Sequence, residues 1–321
     1  MENTKSSMTK IVFFGTPAFA VPFLTELSDD PDIEVVAVVC QPDKPKGRGA
    51  KLQPPEVKVS AESLGLKVNQ PKSLKSEKIV SDLKNLDADL FVVVAYGKII
   101  PQGVLDIPPK GTLNVHPSLL PKYRGPSPMQ WVIASGDKKT GVSIMLLDAG
   151  MDTGPILEQE EIKIDDRETY ESLTRKVHEI GPELLARTLK AHVKGEITSS
   201  PQKDEDASLT SLITREDGHI DWTQSATSID RLVRAYNPWP GTWTIWKRND
   251  DSLRLKIIEA EPIDASVDAN HGRVVVEDDQ LKVSCGEQVL RILEVQLEGK
   301  AKMKAGAFIR GYKDIDGALL S

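Results

Sequence analysis

The chain has 321 residues, of which 39% are hydrophobic and 28% charged, proportions of a soluble globular protein too long for one hydrophobic core. Its net charge of −7 excludes a generally basic nucleic-acid coat, though not a local basic loop that docks one strand. Two cysteines, Cys40 and Cys285, are too few for a disulfide framework or a cysteine zinc site, and no apolar run is long enough to span a bilayer.

Met1 to Ser7 carries an acid and no apolar signal core, so it reads as a short leader and the cytoplasm as the expected compartment. Ile11-Val12-Phe13-Phe14 is an unbroken apolar run, as in a buried parallel strand. Gly15-Thr16-Pro17 breaks it, Phe19, Phe23 and Leu27 then recur at helical spacing, and Ile33 to Cys40 is a second strand. This alternation predicts an α/β domain built on a mostly parallel, Rossmann-like sheet. A dinucleotide is not its ligand: one glycine stands where the fingerprint needs three, Pro17 removes an N–H, and there is no P-loop.

Gln41 to Pro55 holds too much Pro and Gly to be regular, and carries the cations Lys44, Lys46, Arg48 and Lys51. A long basic loop beside a crevice is either a wedge for a nucleic-acid end or a solvated flexible loop. Helices are predicted over Val57 to Leu64 and Glu77 to Leu86, with a brief strand at Leu66-Lys67-Val68. Asp89 to Ala95 is the most apolar strand of all and belongs at the sheet centre, with Tyr96-Gly97-Lys98 at its C-terminal end lining the crevice.

Leu113-Asn114-Val115-His116 reads as a strand that puts Asn114 and His116 on one face, and Pro117 ends it. A helix over Met129 to Ala134, a strand over Thr140 to Leu147, the glycine-punctuated loop Asp148 to Gly154 and a solvent-edged strand over Ile156 to Ile164 follow. Arg167 to Lys194 is helical, with a kink or break expected at Gly181-Pro182, and closes a first domain of residues 1–195. The polar stretch 196–214 has little to bury and reads as a linker. In residues 215–321, one helix (Ser225 to Tyr236) and several short strands predict a small β-barrel. Its aromatic cluster, Tyr236, Trp239, Trp243 and Trp246, is either core or a base-stacking platform, with core preferred; Lys300, Lys302 and Lys304 form a second basic patch.

Asn114, His116 and Asp152 suit one chemistry best. A Ser-His-Asp hydrolase using Ser118 lacks the nucleophile elbow, and Pro117 between His116 and Ser118 spoils their geometry. One His, one Asp and an Asn are a thin metal-ligand set, so no metal is expected. In acyl transfer without a protein nucleophile, an amide and a cationic imidazole hold an oxyanion while a carboxylate keeps the imidazole charged and accepts protons.

Asn114 to Pro121, followed by Met151-Asp152-Thr153-Gly154, resembles the signature of the 10-formyltetrahydrofolate-dependent formyltransferases. Phe14-Gly15-Thr16-Pro17, the loop Gln41 to Gly49 and Tyr236 to Thr242 resemble the branch of that family whose acceptor is initiator methionyl-tRNA. The resemblance implies a C-terminal barrel related to the OB fold, catalytic roles for Asn114, His116 and Asp152, and folate contacts from Ser118, Leu119, Leu120 and Pro121. Tyr96 and Gly97 join that folate set as crevice residues. The resemblance also implies that the loop carrying Lys44, Lys46, Arg48 and Lys51 enters the acceptor arm, Arg48 foremost. The barrel residues 215–321 would bind tRNA as well, in a monomeric, membrane-free, metal-independent enzyme. Pro126 and Ser127, where Ala is expected, and Pro117, where some relatives have Gly, depart from the pattern beside the folate site. A small-substrate formyltransferase would share the trio without needing the basic loop; a non-catalytic RNA-binding module would leave the trio idle.

Overall fold

The computed structural model describes residues 8–46, 51–266 and 269–321. The elements in chain order are β1 (Thr9–Gly15), α1 (Val21–Asp29), β2 (Ile33–Val39), β3 (Lys44–Lys46), β4 (Lys51–Gln53), α2 (Glu56–Ser63), β5 (Val68–Asn69), α3 (Glu77–Lys84), β6 (Leu90–Val94), α4 (Gln102–Leu105) and β7 (Thr112–His116). Then come α5 (Pro128–Ser135), β8 (Lys139–Leu146), β9 (Ile156–Lys163), α6 (Tyr170–Lys194) and α7 (Ala226–Tyr236). The chain finishes with β10 (Thr242–Arg248), β11 (Asp251–Ile263), β12 (Val274–Glu277), β13 (Gln280–Ser284), β14 (Val289–Leu297), β15 (Met303–Lys304) and α8 (Ala305–Gly311).

Seven strands form one sheet in the order β5-β2-β1-β6-β7-β8-β9; the first five are mutually parallel, and β8 pairs antiparallel with both β7 and β9. Every residue of β6 is buried, and β6 is the middle strand, as its unbroken apolar run predicts. From β1 the chain runs outward to β2 and β5, then crosses back to β6 on the other side. The order therefore reverses between β1 and β6, the place where such sheets open a ligand crevice at their carboxyl ends. Gly15, Tyr96-Gly97 and His116 lie at those ends.

Two compact units divide the chain: residues 1–125, 139–163 and 174–209 form one, and residues 126–138, 164–173 and 210–321 the other. The second contains the antiparallel sheet β10-β11-β14-β13-β12, with β15 beside β14. Residues 318–321 close it into a barrel by bonding both outer strands: Ile245 and Ser321 exchange hydrogen bonds on β10, and the Val274 N–H of β12 donates to Ala318. Its core holds Trp246, Phe308, Ile229 and Val233, the last two from α7. α7 starts at Ser225, whose hydroxyl accepts the Ser228 N–H. Tyr236, Trp243 and Trp246 are buried, as preferred for core aromatics, whereas Trp239 is 51% exposed.

Two local expectations are corrected. Of the kink or break expected at Gly181-Pro182 the break is absent: α6 runs through Pro182 as one 25-residue helix. Tertiary packing holds it there: a Cβ on Gly181 would press on the Phe23 ring of α1, so the helices approach as closely as that glycine permits. The loop after β2 is not wholly irregular either. β3 and β4 pair as an antiparallel ribbon with Pro45 opposite Leu52. A two-stranded ribbon has free outer edges, which tolerate a residue without an N–H.

Candidate active site

β7 delivers the first two residues. Its Leu113, Val115 and flanking Thr112 are buried, and Pro117 stops the strand, so His116 is held at the strand end in a fixed direction. Asn114 and His116 share a face and oppose Met145 and Ser143 of β8. The third residue arrives on the loop after β8, where the Asp148 carboxylate accepts from the Gly150 N–H (3.0 Å) and the Thr153 hydroxyl (2.8 Å). A Cβ on Gly154 would collide with the Leu146 carbonyl, so only glycine lets this loop fold back on the strand.

The structure thus brings His116 and Asp152 together. Nδ1 of the buried His116 lies 3.6 Å from Asp152 Oδ2, while its Nε2 donates to the Tyr123 carbonyl at 2.9 Å. Asp152 Oδ2 also accepts the Gly125 N–H at 2.9 Å. Burial pushes the His116 pKa below the ordinary imidazole value, against the opposing pull of Asp152 and of the Tyr123 carbonyl. Burial thus works against the expected imidazolium, and Asp152 is too far for a direct hydrogen bond to favour it further. In the neutral ring that burial favours, the one proton is on Nε2, which faces the Tyr123 carbonyl. The Nδ1 lone pair stays open, and the half-buried Asn114 carboxamide has no hydrogen-bond partner among the described residues. A donor and a proton acceptor thus stand on one face, uncommitted.

Other predicted residues are placed as follows. Ser118 is buried, donates to the Lys122 carbonyl at 2.7 Å and accepts at its own carbonyl from Ser143 (2.5 Å). The Ser143 hydroxyl also accepts the Leu120 N–H, and the Leu120–Pro121 peptide is cis. Leu119 packs over Gly141, where a Cβ would run into the Glu160 carbonyl. The Tyr96 ring is buried edge-on to Phe14, and burial pushes its phenol up to about 12. Only the Tyr96 and Gly97 backbone is thus left to meet a ligand. Lys44 is engaged at the ribbon base, donating to the Gln41 side-chain oxygen at 2.6 Å, and Lys51 is exposed on β4. Arg48 and the Lys46 side chain lie outside the described residues.

Sequence reasoning passed over two sets of residues. Gln41 Nε2 donates to the Tyr96 (2.9 Å) and Gly97 (3.2 Å) carbonyls, and the Thr16 hydroxyl also donates to Tyr96, tying the ends of β1, β2 and β6 together. A buried Gln closing an apolar strand was the available signal. The second set is Arg124 with Gln202 and Ser208, which fasten the loops carrying Tyr123 and Asp152. No group of three or more His, Cys, Asp or Glu able to hold a metal occurs among the described residues, and none of their helices is long and apolar enough to cross a membrane.

Comparison with known proteins bears on the family and the fold. The formyl transferase family model matches residues 9–189, and that of the formyl transferase C-terminal domain matches residues 212–313. A methionyl-tRNA formyltransferase of Caldanaerobacter subterraneus subsp. tengcongensis is 43% identical over 312 residues, covering 97% of this chain and 99% of its own. That of Thermodesulfovibrio yellowstonii is 44% identical over 307 residues, covering 96% and 97%. HypX from Aquifex aeolicus, solved in complex with tetrahydrofolic acid, superposes on 96% of this chain with a TM-score of 0.63 at 18% identity. This chain spans about half of the HypX length (48%). WlaRD, a sugar 3N-formyl transferase, superposes on 92% of this chain and 99% of its own with a TM-score of 0.63 at 19% identity. At those identities the two structures bear on the fold alone.

Proposed function

The chain belongs to the methionyl-tRNA formyltransferase family, and on that premise we propose how its residues carry out the family's reaction. The enzyme transfers the formyl group of 10-formyltetrahydrofolate to the α-amine of methionine on initiator tRNA. One observation carries the residue assignment: an uncommitted Asn114 amide and an open His116 Nδ1 on one strand face, backed by Asp152.

The uncharged amine attacks the formyl carbon. A C–N bond forms as the carbonyl pair moves onto oxygen, and Asn114 Nδ2 donates to that oxyanion. His116 Nδ1 takes the proton the amine loses, and the imidazolium so formed is stabilised by Asp152 on one side and the Tyr123 carbonyl on the other. The intermediate collapses, the bond to N10 breaks, and the proton passes to N10 as tetrahydrofolate leaves. Protons and electrons balance without a metal. Ser118 to Pro121 and the Tyr96-Gly97 backbone flank the folate, and Lys44, Lys46, Arg48 and Lys51 of the basic segment meet the acceptor arm. Along the sequence, residues 1–195 carry catalysis, 196–214 connect, and 215–321 bind tRNA, in a cytoplasmic monomer, although the compact units exchange residues 126–138 and 164–173 across the first boundary.

Tetrahydrofolate release from 10-formyltetrahydrofolate tests this reading. Release is expected only when aminoacylated initiator tRNA is added. Release of the same size with uncharged tRNA would indicate hydrolysis, and no release with the charged form would leave only an RNA-binding protein.

A further inference from the structure

We propose that residues 200–209 form a strap that sets the geometry of the His116–Asp152 pair, with Gln202 and Ser208 as its positioning residues. This inference rests on the reading that the pair takes part in formyl transfer.

Gln202 acts on the carboxylate side. Both of its amide hydrogens are committed, to the carbonyls of Asp152 (2.8 Å) and Gly154 (2.7 Å), which clamps the loop on either side of Thr153. Its side-chain oxygen accepts Arg124 Nε at 2.9 Å, next to the Gly125 N–H that donates to Asp152 Oδ2. One side chain therefore holds the loop bearing Asp152 against the loop that bonds its carboxylate.

Ser208 acts on the imidazole side. Its hydroxyl accepts the Tyr123 N–H at 2.8 Å, its carbonyl accepts the Arg124 N–H at 2.9 Å, and its N–H donates to Pro121 at 3.3 Å. The residue so fixed, Tyr123, supplies the carbonyl that holds His116 Nε2. The strap is pinned at both ends, by the paired backbone bonds of Ser200 with Ile156 (2.8 and 2.7 Å) and by the bridge of Leu209 with Arg124.

Backbone conformation is an independent argument. Tyr123 (φ 61°) and Asp152 (φ 52°), which flank the imidazole, both sit in the left-handed region. That conformation is uncommon for a residue with a side chain, more so for Tyr than for Asp, and surrounding bonds help to hold it. The bonds from Ser208 and Gln202 fall on these two residues. The strap buries little: Ser208 is exposed, and Leu209 is 78% exposed. Its bonds therefore go to position rather than to a core.

The test is steady-state kinetics on the full-length Gln202→Ala, Ser208→Ala and Ser208→Thr variants, with melting temperatures and His116→Ala as reference. Gln202→Ala is expected to lower kcat about 10- to 100-fold, the usual cost of losing a partner that orients an active-site group, with both KM values within about twofold. The limb of its pH profile that reports His116 moves to lower pH, because Asp152, which raises that pKa, drifts away. Ser208→Ala loses less, and Ser208→Thr, which keeps the acceptor oxygen, recovers it. A Gln202→Ala enzyme with unchanged kcat and pH profile, beside an inactive His116→Ala, would reduce the strap to a tether and overturn the inference. A His116→Ala enzyme that keeps normal turnover removes the catalytic reading and the inference with it.

Discussion

Two carboxylates, one buried and one half-buried, behave in opposite ways. In the second unit, Asp230 has both oxygens filled, Oδ1 by Arg167 Nη1 and Oδ2 by Arg234 Nε, each at 2.9 Å. Those guanidiniums are committed in turn to the carbonyls of Ala260 and Glu168. In the first unit, Asp152 holds a left-handed backbone, stands 3.6 Å from an imidazole it does not quite bond, and accepts the Gly125 N–H. A saturated network spends its electrostatics on the fold. An unsaturated one keeps donors and acceptors in reserve for a reacting molecule that completes them. The contrast separates a structural charge cluster from a candidate catalytic one without appeal to where either lies in the sequence.

Substitution should split the two. Asp152→Asn is expected to lower kcat about 10²- to 10⁴-fold, the range for removing a carboxylate that supports a catalytic imidazole, with the melting temperature held. Asp230→Ala should do the reverse, costing about 3 kcal/mol in denaturant unfolding, the low end for breaking a buried pair because Arg167 is half exposed. Turnover per folded molecule should be unchanged. A stable, inactive Asp230 variant or an unstable, active Asp152 variant would break the comparison.

A smaller effect sharpens the tRNA side. Arg48→Ala is expected to lower kcat/KM for tRNA about tenfold and to reduce the slope of log K against log salt by about one, while folate binding is spared. Equal loss in both substrates would mark a folding defect instead.

The smallest effect is on stability against pH. The His116 pKa is lowered in the fold by burial, against Asp152 and the Tyr123 carbonyl. Protonation therefore favours the unfolded chain, and stability should decline as pH falls from the unfolded value of about 6.5 towards the lowered one. Asp30 is desolvated, but Lys190 at 2.6 Å and the Asp32 backbone more than offset this and lower its pKa. Its contribution holds above the unfolded value of about 3.9 and is lost only as pH falls through the folded one. Urea midpoints between pH 7 and 3 should resolve both phases. In His116→Asn the first should shrink while the second stays.

Much of this was legible in the chain. The apolar runs of β1, β2 and β6 give the sheet and its centre, and the alternation of Leu113-Asn114-Val115-His116 before Pro117 gives the shared face, because burial imposes those periods directly. What escaped depends on contacts distant in sequence. Gln202, within a polar run, reads as solvated, and only the fold brings it to Asp152, 50 positions away. The ring of Tyr96 turns into the core because Phe14 is there to receive it. Pro182 sits unbroken inside α6 because Gly181 packs on Phe23, a contact propensity does not encode. The protonation of His116 is a matter of burial, which no motif records.

The most direct test is single-turnover formyl transfer to methionyl-tRNA by Asn114→Ala and His116→Ala at saturating concentrations of both substrates, with folding checked by melting. The account expects rates about 10²- to 10³-fold or more below the unsubstituted enzyme at unchanged melting temperature. Rates within about threefold of it, in folded protein, would contradict the assignment of the reaction to this strand face.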